Sequence, residues 1–331
     1  MRLAWVLLVL LVVCAPQTPE VSWRLRHTWD GPGRHMWHSI AALRTGEVWT
    51  YVAGDTSLMM RWDGRAWRTE EPPGDFLPTG SGFGFETSPA GDDLWLASGG
   101  VWQRVRDSWV RRPNLSRFDP ELTIKDMAVA AKDEVWLARI GEYGGWVMNM
   151  WSRGAWKEMP KPSPEMGSAW LERIAAAGPG RVWAIHQVDG LSQAIRWEGS
   201  GWSTHPMPQV SIRDLAVSAR GDAWAVGSEE SGGVILRRQG GRWKRVGDPL
   251  PGTALPFVRA DARGGVWIAA DPGRGRPYVL HVKDGRWSKY PLPESSSKIM
   301  AIAPAATGVW VYARQGSGVS KVYELSFSTF C

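Results

Sequence analysis

The chain of 331 residues carries 39 Lys+Arg against 33 Asp+Glu, a formal net charge of +6, and is 44% hydrophobic. That balance argues against wholesale disorder, and arginines scattered along the whole chain argue against the clustered basic face of a nucleic-acid binder. The length suits two ordinary domains or one large all-β domain, and 23 tryptophans direct attention to repeats.

The first residues read as a targeting segment. Arg2 supplies a short positive region, and LAWVLLVLLVV (3–13) is apolar but too short to span a bilayer comfortably. LVVC resembles a bacterial lipobox, which would make Cys14 a lipidated mature N-terminus, although Val13 departs from the small residue expected before the cysteine. Ordinary signal-peptidase cleavage near Ala15 competes with it, with Pro16 a poor neighbour for that bond, and an uncleaved anchor is the third reading. All three place the remainder of the chain outside the cytoplasm. The chain divides into a leader (1–15), a short linker (16–21) and one domain (22–331). The other cysteine is Cys331, so a disulfide framework within the domain is excluded and a Cys14–Cys331 bridge would need the leader retained.

From residue 49 onward one pattern recurs. EVW at Trp49, DLW at Trp95, EVW at Trp136, RVW at Trp183, DAW at Trp224 and GVW at Trp267 and Trp310 are spaced by 46, 41, 47, 41, 43 and 43 residues. A period near 43 is that of a four-stranded propeller blade. Two-helix repeats share the period, but segments such as VWAIHQV and AWAVG are short, β-branched or aromatic and bounded by Gly, Asp or Pro, which marks strands. An alanine-rich strand comes first in the unit (DMAVAA 126–131, RIAAAG 173–178, DLAVSA 214–219, IMAIAP 299–304), then a Gly/Asp turn and the VW strand. A third strand ends in a tight turn such as WDGRAW or KDGRW, which delivers a second tryptophan to open the fourth: Trp67, Trp109, Trp156, Trp202, Trp243 and Trp287. Small residues suit the strand crowded against the axis, and tryptophans suit the wedge that widens outward. A buried tryptophan contributes on the order of 3 kcal/mol, so the two columns serve as packing between blades rather than as ligand-stacking pairs.

Seven VW strands imply seven blades, with six or eight as alternatives, yet only six internal fourth strands are present. SWRLRHTW (22–29) matches the fourth-strand pattern with Trp23 in register, so an N-terminal strand completes the last blade, unless Phe330 takes that slot. The expected fold is all-β: a seven-bladed β-propeller of four-stranded antiparallel blades, its ring closed by the N-terminal strand.

The unit resembles bacterial extracytoplasmic propeller repeats of the D-x-W-A-V-G…W-D-G-x-x-W type, and more distantly tectonin-type repeats. WDGRAW and KDGRW also look like the Asp-box hairpin of sialidase-type propellers, without the Ser or Thr that opens it. That box is structural and implies no sialidase activity. The double glycine of kelch repeats is not repeated here. The resemblance implies a fold and leaves the activity open, because propellers host lectins, scaffolds, lyases and glycosidases alike.

Function is sought on the face formed by the loops after the VW strands and the connections between blades. Those loops carry Asp55, Glu142, Tyr143, Asp189, Glu229, Glu230, Asp271, Arg274, Arg276 and Arg314, and the starts of the axial strands carry Asp126, Arg173, Asp214 and Arg259. Such a mixed-charge rim suits a polar partner, protein or cell-surface glycan. HMWH (35–38) reads as a solvated loop without a third metal ligand, His186 as a loop histidine without a partner, and His27, His205 and His281 as surface residues. NLS (114–116) has the form of a glycosylation acceptor by chance. Phosphate loops, Rossmann glycines and CxxC pairs are absent from the sequence, so no cofactor, metal or catalytic residue is assigned. The expected protein is a monomeric, non-catalytic binding platform, secreted or lipid-anchored at the bacterial envelope, touching the membrane only through a lipid on Cys14. The competing reading is a glycan hydrolase or lyase on the same face. Two or more convergent carboxylates with perturbed pKa in an axial pocket would favour the enzyme, and a flat face would favour binding.

Overall fold

The computed structural model describes residues 20–29, 37–53, 58–74, 84–98, 100–113, 124–140, 145–161, 170–188, 191–295, 297–316 and 318–328. Twenty-nine strands, β1 to β29 in chain order, fill them, and the described residues contain no helix. They form seven antiparallel sheets. The inner strands are β2 (Trp37–Ala42), β6 (Gly84–Thr87), β10 (Ile124–Ala131), β14 (Trp170–Ala176), β18 (Ser211–Val217), the pair β22 (Thr253–Ala254) and β23 (Val258–Ala260), and β27 (Ser297–Ala305). Each inner strand contacts the next, and β27 returns to β2, so the ring is closed. The chain is a seven-bladed β-propeller. Blades are numbered 1 to 7 by these inner strands.

Closure follows the expected route. β1 (Glu20–Trp29) pairs with β29 (Ser320–Ser328), which follows β28 (Gly308–Gln315) and β27, giving blade 7 the order β1-β29-β28-β27. Trp23 lies opposite Leu325, the register that places Trp67 opposite Trp62 in blade 1. Phe330 lies outside the described residues. Joining the two ends of the chain in one blade makes the ring's closure part of the cooperative fold rather than a separate interface.

The tryptophans couple neighbouring blades in one recurring geometry. The second tryptophan of a blade meets the first tryptophan of the preceding blade edge to face: Trp109 on Trp49 at 5.5 Å and 81°, Trp202 on Trp136 at 5.7 Å and 78°, Trp243 on Trp183 at 5.8 Å and 86°, Trp67 on Trp310 at 6.0 Å and 86°. Edge-to-face contact sets the positive ring edge against the negative face of its neighbour. Arginines from third strands cover other faces, as Arg237 does over Trp224 at 5.0 Å. Blade 6 departs from the pattern. Trp287 is 43% exposed, a correction to its expected packing role, because Trp224 is packed by Val282, Leu280 and Leu255 and leaves it no slot. In the same blade Tyr290 packs against Trp267.

Candidate functional site

Inner strands converge on a cavity of about 530 Å³ along the axis, lined by residues from all seven blades. Small side chains form its wall. The residue paired with the first tryptophan is Ala41, Ala128, Ala175, Ala216 and Ala303 in five blades, but Glu86 in blade 2 and Arg259 in blade 6. One step nearer the start of the strand, opposite the residue two beyond that tryptophan, blades 3, 4 and 5 carry Asp126, Arg173 and Asp214. Each follows a β-bulge, which re-aims the residue after it. Blade 7 has the same bulge before Ala301. The bulge therefore belongs to the blade architecture, and three blades place a charge on it. Gly227 makes room for it in blade 5: a Cβ there would lie 2.2 Å from the Ser211 carbonyl oxygen.

Two of these charges also join blades. The Asp126 Oδ2 accepts from the Ile174 N–H of blade 4 at 2.8 Å, and the Asp214 Oδ2 accepts from the Val258 N–H of blade 6 at 2.8 Å. Ser39 does the same for the Phe85 N–H of blade 2 at 2.8 Å. Asp214 is buried and lies between two guanidiniums. Arg259 Nη1 donates to its Oδ2, and Arg173 Nε lies 3.5 Å from its Oδ1. Both arginines keep about a third of their side-chain surface open, 34% and 39%.

Three carboxyls face two guanidiniums in this ring, and the excess acid appears in the titration. Burial pushes the Glu86 carboxyl up to about 8, Arg259 opposing and Asp126 and Asp214 adding to the rise. Burial pushes Asp126 up to about 6, against the pull of Arg173 and the Ile174 N–H. Burial works against the Arg259 cation, but Asp214, Glu86 and Asp126 outweigh it and hold its pKa above the ordinary value. Of the carboxyls in the ring, Glu86 is the one whose proton burial holds most strongly. Glu86 has no hydrogen-bond or ion-pair partner among the described residues, whereas both Asp126 oxygens accept backbone N–H groups, from Met127 and Ile174.

Asp126, Arg173, Asp214 and Arg259, expected at the starts of axial strands, are brought together. Glu86 was not among the expected residues. The loop candidates do not join them. Glu229 accepts from Ser231 and from Arg245 of its own outer strand, Glu230, Arg274 and Arg276 are exposed, and Asp271 and Arg314 lie on the second strands of blades 6 and 7. Asp55, Glu142, Tyr143, Asp189 and Cys14 lie outside the described residues, as do His35 and the NLS at 114–116.

Several histidine expectations are corrected. Trp37 and His38 open β2 and do not sit on a loop. His186 is a buried residue of β15 (Val182–Val188), 2% exposed, with neither ring nitrogen partnered among the described residues and its pKa lowered by burial to about 4. A neutral histidine in an apolar wall is packing. His281 is no ordinary surface residue either: it stacks on Trp267 at 4.2 Å and pairs with Asp261 at 2.8 Å. His27 packs on Trp29 at 4.2 Å and His205 on Trp183 at 4.9 Å. Among the described residues no group of His, Cys, Asp and Glu is placed to hold a metal ion.

No protein-family model matches the chain, and no curated protein matches it in sequence. Solved structures match it in shape. YCF48 bound to a D1 peptide is similar over 92% of this chain and 97% of its own, with a TM-score of 0.60 and 14% identity. YCF48 from Cyanidioschyzon merolae is similar over 92% and 98%, with a TM-score of 0.61 and 12% identity. AofleA from Arthrobotrys oligospora is similar over 84% and 90%, with a TM-score of 0.50 and 14% identity. The likeness is one of fold. At such identities it carries the propeller architecture and none of the axial residues.

Proposed function

We propose that this propeller is a binding platform of the bacterial cell envelope, secreted or anchored through Cys14, which engages a protein or surface glycan at the axial face. The observation that carries the reading is the ring itself. In five blades the wall position is alanine, and the departures, Glu86 and Arg259, meet Asp126, Arg173 and Asp214 around one cavity. Charges that converge on open space, with donors unspent, are what a ligand site needs and a packed core does not. That a propeller of this shape takes a peptide is illustrated by YCF48 with its D1 peptide. The placement at the envelope rests on the N-terminal segment, and mass spectrometry of the mature N-terminus tests it.

Binding is tested by a glycan array and an envelope pull-down, each run with the wild type and with Arg259→Ala. A partner or glycan bound by the wild type and lost in the variant supports the platform. Blank results on both, with turnover of a glycoside panel, would overturn it.

The raised carboxyls favour a second reading, a carbohydrate-active enzyme. A protonated Glu86 beside an ionised Asp126 is the arrangement of an acid and a base. Against it, both Asp126 oxygens are held by backbone N–H groups, and Asp214 is saturated by arginines and a third N–H. Glu86 is then the one carboxyl of the ring with no partner to give up. Glycoside turnover abolished by Glu86→Gln would decide for the enzyme.

A further inference from the structure

The ring is not only charged but divided into two neighbouring arcs. Blades 2 and 3, adjacent in the ring, contribute Glu86 and Asp126, while the Lys125 ammonium, which also lines the cavity, lies over the Trp146 ring. Blades 4 to 6, on the next arc, contribute Arg173 and Arg259 with Asp214 clamped between them. Blades 7 and 1 close the circle with Ala301 and Ser39, which carry no charge. Below lie the ring alanines and Met300.

The donors and acceptors left over follow the same division. Arg259 spends Nη1 on Asp214 and on the Val258 carbonyl, and Arg173 spends Nη1 on the Glu172 carbonyl and turns Nε to Asp214. Nε and Nη2 of Arg259 and Nη2 of Arg173 have no partner among the described residues, and both side chains line the cavity with about a third of their surface open. Planar guanidinium edges of this kind match a carboxylate. On the arc of blades 2 and 3 the Glu86 carboxyl is unpartnered among the described residues, and the Asp126 oxygens accept only backbone N–H groups. That arc matches a donor-only cation, an ammonium.

Resting on the axial binding reading proposed for this ring, we infer that the site takes a small zwitterion, its carboxylate on Arg173 and Arg259 and its ammonium against Glu86 and Asp126. A purely anionic ligand would leave the acidic arc facing its charge, and a purely cationic one would meet the arginines, so each single-charge ligand is penalised by the pole it does not match. The alanine wall accepts the aliphatic carbons between the two charges. An amino acid or a short aliphatic amino acid fits comfortably in a cavity of about 530 Å³. Burial raises the Glu86 carboxyl, so an ammonium seated against it favours the ionised form and displaces a proton.

Isothermal titration of the full chain with glycine, 4-aminobutyrate and 6-aminohexanoate tests the inference, each probe compared with its N-acetyl and carboxamide forms. At least one zwitterion is expected to bind tenfold or more tightly than both of its single-charge forms, with a heat that varies with the ionisation enthalpy of the buffer. Arg259→Ala, which installs the residue that five blades carry at that position, should weaken it tenfold or more, and Glu86→Gln should abolish the proton release. Both variants are checked for the wild-type circular dichroism and melting curve. Equal affinity for a single-charge form, or no binding of any zwitterion at millimolar concentration, overturns the inference. If partner capture is still lost in Arg259→Ala, that result leaves the platform standing. If capture survives the variant, the axial reading itself fails.

Discussion

The tryptophan pairs between blades and the charged ring at the axis are built on the same pairs of strands, a few residues apart. On blade 5, Trp224 lies opposite Ala216, and Asp214 lies opposite Val226. Yet the two regions obey different rules. The tryptophans repeat from blade to blade, and the four edge-to-face pairs fall within 0.5 Å of one another, between 5.5 Å and 6.0 Å. The axial charges change at every blade: glutamate, aspartate, arginine, aspartate, arginine, then none. What repeats supplies the fold. What breaks the repeat is available for a ligand, except Asp214, whose carboxylate is taken up by the Val258 N–H and two guanidiniums.

That contrast can be broken at its strongest point first. Trp136 is fully buried and receives the edge of Trp202. Trp136→Ala should cost about 3–5 kcal/mol in denaturant unfolding. Trp287→Ala, at the exposed exception, should stay within about 0.5 kcal/mol of the wild type. Equal losses at the two positions would dissolve the distinction between packed and unpacked columns. Asp214 comes next, because it belongs to both regions. Asp214→Ala strands the Val258 N–H and leaves Arg259 and Arg173 facing each other, and should cost about 2–3 kcal/mol. Asp214→Asn keeps an acceptor and should recover part of that loss. Gly227→Ala forces a Cβ against the Ser211 carbonyl at the bulge and should cost about 1–2 kcal/mol, with axial binding weakened because the bulge that aims Asp214 shifts.

The ring also carries a pH dependence. Glu86 is raised from 4.5 to about 8 and Asp126 from 3.8 to about 6, so the folded chain holds both protons more tightly than the unfolded chain. Their contribution to stability is complete below about pH 4 and is lost as pH rises through about 6 and then about 8. Glu86→Gln should remove the decline between about pH 6 and 8 and shallow the one below it, where Asp126 still contributes, read as a flatter melting temperature against pH. An unchanged slope would place the Glu86 proton outside the account.

Much of this was legible in the sequence because the repeat is written in tryptophan. Trp49 to Trp310 fixed the blade count, and Trp23 identified the closing strand. Asp126, Arg173, Asp214 and Arg259 could be found because they stand near the start of strands that end in alanine or lead to a Gly turn. Glu86 was harder. The turn at 88–93 is one residue longer than that at 43–47, so counting back eight from Trp95, as from Trp136 to Ala128, lands on Thr87. The short strand GFET also lacks the alanines that mark its counterparts. Glu229 illustrates the opposite error: expected on the loop after its VW strand, it is the last residue of that strand, and its carboxylate turns to Arg245 of the outer strand. Side-chain direction at a strand end is set by neighbours that spacing does not reveal. Trp287 keeps the register of its column, opposite Val282, and fails to pack because Leu280 and Val282 of its own blade already fill the wedge beside Trp224.

The central claim is that Glu86, the axial departure from the repeat that has no partner among the described residues, is surplus to the fold. Glu86→Ala tests it most directly, because it gives blade 2 the residue of five other blades and removes a carboxyl without a partner. Equilibrium unfolding of this variant at pH 8 should show stability equal to or above the wild type. A loss of about 3 kcal/mol, the size expected for a buried tryptophan, would mean that Glu86 holds the ring together and would contradict the account.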